Sequence, residues 1–155
     1  MPFAWAVAEE KTTQRIRKVH DFLTVGAPTP FQEAAAIALG FPEGYYEGLR
    51  SRYVRNRKFL YDLLAATGFE PCLPRGAYYI MTGIERLAKS LGTSDDFEFS
   101  RKLIELTGVA TVPGTSFYAE KTGKGADQVR FCFCKKQETL DKVAEGFTRL
   151  CRTLD

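Results

Sequence analysis

The segment Gln128-Val129-Arg130-Phe131-Cys132-Phe133-Cys134 constrains the fold more than any other part of the chain. Its aromatic, β-branched and thiol side chains read as a β-strand. Period two puts Val129, Phe131 and Phe133 on one face and Arg130, Cys132 and Cys134 on the other. Both faces are apolar apart from the arginine, so the strand is expected to be covered on both sides. A guanidinium in that setting is costly unless an anion meets it. Its planar fork matches a carboxylate through two parallel hydrogen bonds, which lysine cannot do. That anion is either an Asp or Glu from elsewhere in the fold or a bound ligand, and strand geometry alone leaves both open.

The 155 residues suffice for one domain with a sizeable core, and 45% hydrophobic with 26% charged residues is a globular balance. Residues 12–24 carry Ile16, Val19, Phe22 and Leu23 at helical spacing, with His20 flanking the stripe as a surface or interface residue. Gly26 to Pro30 breaks that helix. A second helix follows from Gln32 to Leu39. A third starts at Pro42, reaches Thr67 and is capped by Gly68. Strands are expected at Trp5 to Ala8, Phe69 to Leu73, Ala77 to Met81 and Val109 to Val112. The first, at the very start of the chain, hints at something preceding it in the complete fold. Thr93 with Asp96 resembles a capping box opening a helix that Gly108 closes. The last helix, from Gln137, bears Leu140, Val143, Ala144, Phe147, Leu150, Cys151 and Leu154 on one side. The fold class is α/β, a modest mixed sheet covered by helices.

Charge and cysteine usage narrow the function. The net charge of +3 is mild. Arg50, Arg52, Arg55, Arg57 and Lys58 are spread around their helix as a solvated face, which sets nucleic-acid binding aside. The four cysteines, Cys72, Cys132, Cys134 and Cys151, lack disulfide-framework or zinc spacing. Buried free thiols in a reducing cytoplasm are expected. The N-terminal residues lack signal-peptide character, and no apolar run is long enough for a membrane helix. The chain reads as a soluble cytoplasmic protein with no metal, membrane or nucleic-acid partner.

Several stretches, in order, resemble one family. They are Ile16 to Phe22, Ala27-Pro28-Thr29-Pro30-Phe31-Gln32-Glu33-Ala34, Pro74-Arg75-Gly76-Ala77-Tyr78-Tyr79, Val112-Pro113-Gly114-Thr115-Ser116-Phe117 and Val129-Arg130-Phe131. Together they resemble the C-terminal portion of class I/II, fold-type I, pyridoxal-phosphate-dependent aminotransferases of the aspartate and kynurenine kind. The resemblance implies a division into residues 1–40 (end of the large cofactor domain), 41–68 (long connecting helix) and 69–155 (small substrate-closing domain). It implies that Arg130 grips the substrate α-carboxylate, and that Tyr78 or Tyr79 contacts substrate at the entrance. Pro28 to Gln32 would run near a dimer interface.

The same resemblance puts the Schiff-base lysine, the aspartate for the pyridine nitrogen and the phosphate-binding loop upstream of this chain. No catalytic residue and no cofactor ligand is therefore assigned here. Pyridoxal phosphate belongs to a complete enzyme acting on amino-acid and 2-oxo-acid substrates, with an N-terminal aminotransferase polypeptide as the expected partner in a homo- or hetero-oligomer. The isolated chain is expected to be inactive. A non-catalytic remnant or dimerisation module of the same ancestry is the competing reading.

Overall fold

The computed structural model describes residues 4–154, which fall into two compact units that divide between Glu47 and Gly48. The first unit contains α1 (Glu10–Thr24), α2 (Thr29–Leu39) and the start of α3 (Glu43–Ala66). Neither α1 nor α2 has a buried residue. Phe22, Leu23, Ile37 and Leu39 are all exposed. Residues 4–9 are irregular, with Val7 90% exposed, so the strand expected at Trp5 to Ala8 does not form. An apolar run becomes a strand only beside a neighbour that completes its hydrogen bonds, and no strand runs beside it among the described residues.

The second unit holds the rest of α3, then β1 (Glu70–Pro71), β2 (Tyr79–Gly83), α4 (Glu85–Leu91), α5 (Asp96–Thr107), β3 (Val112–Pro113), β4 (Gln128–Cys132) and α6 (Gln137–Leu154). Two 3₁₀ turns, Gly114–Phe117 and Glu120–Thr122, separate β3 from β4. The strand order is β1-β2-β4-β3, and each pairing is antiparallel, where the sequence suggested a mixed sheet. The expected helices form close to their expected bounds, and α3 and α5 are followed by Gly68 and Gly108 at positive φ. Helix α4 is an addition to the sequence reading. The strands at the two edges of the sheet are shorter than expected, β1 and β3 keeping only two residues each.

The core lies on one side of the sheet. Val129, Phe131 and Phe133 pack there with Ile80, with Leu60 and Leu64 of α3, Phe99 and Leu103 of α5, and Phe147 and Leu150 of α6. Phe69 stacks on Phe147 at 5.4 Å between ring centres and meets Phe131 edge-on at 5.3 Å. Burying each such ring contributes about 1.5–3 kcal/mol. All three helices belong to this side, so Gln128, Arg130 and Cys132 on the other face are only half-buried. The expectation of a strand covered on both sides is corrected accordingly.

The start of α5 also differs from expectation. Asp95, not Thr93, is the N-cap, and its carboxylate accepts a 2.8 Å hydrogen bond from the Glu98 N–H. Glu98 returns the favour one residue earlier, accepting from the Ser94 N–H at 2.7 Å and the Ser94 hydroxyl at 2.8 Å. The Ser94 backbone bond, then its hydroxyl, hold the Glu98 carboxyl below its ordinary range. Asp96 is thereby freed for another task.

Candidate substrate-carboxylate site

Arg130 occupies the middle of β4, opposite Met81 of β2 on one side and Val112 of β3 on the other. Two aromatic rings flank its guanidinium: Cζ lies 4.9 Å from the centre of Tyr79 and 4.6 Å from that of Phe117. Rings attract a cation through their faces but accept none of its N–H bonds, so the fork stays open along its edges. Among the described residues no carboxylate lies within ion-pair distance of Arg130, the one such pair there being Lys58–Asp62. No described residue of this chain supplies the Asp or Glu partner that strand geometry left open.

Each ring is held by a different device. Tyr79 opens β2 and pairs in register with Cys132, so the sheet itself places it beside Arg130. Tyr78 leans edge-on against Tyr79 with ring centres 5.4 Å apart, is half exposed and does not meet the guanidinium. Phe117 ends the 3₁₀ turn that Gly114 begins. That turn is tied down by Asp96, whose buried carboxylate oxygen accepts from both the N–H and the hydroxyl of Thr115, each at 2.8 Å. Sequence reasoning missed Phe117 and Asp96 as parts of the site. Phe117 was visible only as the last letter of a motif, and Asp96 only as a helix-start residue.

The far end of β4 is clamped from α3. Asn56, 4% exposed, donates through Nδ2 to the carbonyls of Phe133 and Lys135, both at 2.9 Å. These bonds bracket Cys134, whose thiol lies 3.0 Å from that of Cys132. Burial, then the hydrogen bond to Cys132, push the Cys134 thiol above its ordinary value. All four cysteines are free, and Cys72 is exposed, so the expected burial of the thiols fails at that position. Asn56→Ala is expected to cost about 2–3 kcal/mol by leaving the carbonyls without their donor, lowering the melting temperature by roughly 5–10 °C. A melt that matches the parent within error would show that the clamp contributes nothing.

The family model for aminotransferase class I and II matches residues 3–147. The chain belongs to the class I and II aminotransferase family. It is 31% identical to a kynurenine–oxoglutarate transaminase of Dictyostelium discoideum, over 94% of this chain and 37% of that protein. To the methionine aminotransferase of Escherichia coli it is 32% identical, over 94% of this chain and 36% of the relative. The solved N-succinyldiaminopimelate aminotransferase of Mycobacterium tuberculosis superposes with a TM-score of 0.74 at 30% identity, covering 94% of this chain and 35% of that structure. The chain therefore spans little more than a third of these relatives and corresponds to the C-terminal portion of a fold-type I aminotransferase.

Aminotransferases of this kind work with pyridoxal phosphate. The side chains that meet Arg130 are aromatic, with no lysine amine or carboxylate among its contacts in the described residues. That set suits a carboxylate. It does not fit the aldehyde or ring nitrogen of the cofactor, which need an amine and an acid.

Proposed function

We propose that this chain is the carboxylate-gripping part of an amino-acid aminotransferase, completed by a polypeptide segment that carries the cofactor-binding lysine. The observation behind this reading is the guanidinium of Arg130, held between Tyr79 and Phe117 with no carboxylate partner among the described residues. The two rings lower the local water content and fix the plane of the fork, so a substrate carboxylate entering along its edge gains two charge-assisted hydrogen bonds. Tyr79 acts as the wall of this slot, and Tyr78, half exposed beside it, as the substrate contact at the mouth. Amino acids and 2-oxo acids share that carboxylate, so Arg130 serves both half-reactions and selects between neither.

On this reading residues 1–40 end the cofactor domain, residues 41–68 connect, and residues 69–155 close over substrate. The free thiols suit a cytoplasmic enzyme. No helix of the described residues is long and apolar enough to cross a membrane. The apolar side chains exposed on α1 and α2 favour a protein partner, whether a second copy or the cofactor-bearing segment.

Gentle purification of the tagged chain from its source cells, followed by absorption spectroscopy and borohydride reduction, tests the proposal. Co-purification of a second polypeptide whose aldimine band is lost on reduction while the cofactor stays covalently attached to it is the expected result. A colourless, monomeric chain that gains no partner would favour the non-catalytic remnant instead.

A further inference from the structure

On the opposite side of β4 from Arg130 lies a second basic site, independent of the reading above. Arg50, Tyr53, Val54 and Arg57 recur at helical spacing on one face of α3 and line a pocket of about 320 Å³ together with Arg75, Gly76, Ala77 and Phe133. The buried ring of Phe133 forms its floor, with Tyr53 edge-on against it at 6.2 Å. The far wall is the turn at Arg75 to Ala77. Arg57 fixes that turn by donating from Nη1 to the Pro74 carbonyl at 3.0 Å, and Ala77 holds it at a φ of 60° that a non-glycine residue rarely adopts.

Charge is what makes the pocket informative. Three arginines line it, and among the described residues no carboxylate pairs with any of them. The cations of α3 are thus not merely a solvated face, because folding brings two of them together with a third from a distant turn. Arg57 is half-buried, and its Nε is shielded from solvent without a hydrogen-bond partner. A buried donor left unpaired is costly, and three like charges around one concavity raise the local positive potential. The second penalty falls when an oxyanion enters. Arginines drawn from a helix and from a separate turn match the several oxygens of a phosphate better than the planar pair of one carboxylate.

We infer that this pocket is a phosphate-binding site, taking either inorganic phosphate or the phosphoryl group of a small monoester. It holds the anion by Arg50 and Arg75 at the rim and Arg57 within. Isothermal titration of the chain at low ionic strength with inorganic phosphate and with phenyl phosphate tests it. Saturable binding of one phosphate per chain is expected, weakened at least about tenfold in Arg50→Gln and in Arg75→Gln, each the loss of one charge-assisted contact. Both residues are exposed, so these variants should melt with the parent. Arg130→Ala should bind phosphate as the parent does, which separates this site from the carboxylate site. Tighter binding of phenyl phosphate would assign the site to monoesters, and equal binding to the free ion. No saturable binding up to millimolar phosphate, unchanged affinity in both rim variants, or loss of binding in Arg130→Ala would each overturn the assignment.

Discussion

Gly114→Val is expected to leave the second unit unable to hold its native fold, by more than about 3 kcal/mol of lost stability. A Cβ at this buried glycine would overlap the carbonyl oxygen of Gly125 and reach within 2.6 Å of the Gln128 oxygen. Both obstacles are backbone atoms, and neither can swing away as a side chain would. Gly125, at a φ of 87°, is itself pressed against Gly114, so the two chain segments meet with no room for side chains between them. The turn that begins at Gly114 carries Phe117, so displacement there also removes one ring from Arg130. Even Gly114→Ala should show most of the loss in a urea melt. The control is Gly48→Ala, at a helical glycine of α3 with open space around its Cβ, which should gain about 0.5–1 kcal/mol. Equal effects of the two alanines would refute the packing argument.

Arg130→Ala in the completed enzyme should lower kcat/KM by about 10²–10³-fold for every amino-acid and 2-oxo-acid substrate alike, the worth of a desolvated two-bond grip. Arg130→Lys should recover little, because a point charge between two rings cannot present two parallel donors. The fold should survive, since the cation's contacts with Tyr79 and Phe117 are worth about 1–2 kcal/mol together. Kinetics that do not change, alongside a destabilised chain, would make Arg130 a purely structural cation.

The sequence disclosed this site unevenly, for physical reasons. The strand of Arg130 was legible because period two and a run of phenylalanines have few alternative foldings, and the helices because their apolar stripes are long. Trp5 to Ala8 looked like a strand by composition, yet pairing depends on a neighbour that composition cannot supply. The opening of α5 was misplaced by two residues because Thr93 and Asp96 have the spacing of a capping box, and only three-dimensional context sends Asp95 to the cap and Asp96 to Thr115. Tyr79 and Phe117 are far apart in sequence from each other and from Arg130, and their convergence is a product of strand order. The same holds for Arg50, Arg57 and Arg75, which read as scattered charges until α3 meets the turn after β1.

That strand order has a consequence for how the protein is made. β4 is the latest of the four described strands along the chain, yet it occupies an interior place between β2 and β3, and its clamp, Asn56, lies on a helix finished long before. The pairings of β2 and of β3 with β4 therefore wait until residues 128–132 are available, and their facing edges are unfilled before then. The arginine that would grip substrate arrives as the keystone of its own sheet. Pairing between partners so distant along the chain is slow, and the waiting edges are prone to capture by other strands. Damage to β4 should thus be felt first as poor yield of folded protein, before any question of chemistry arises.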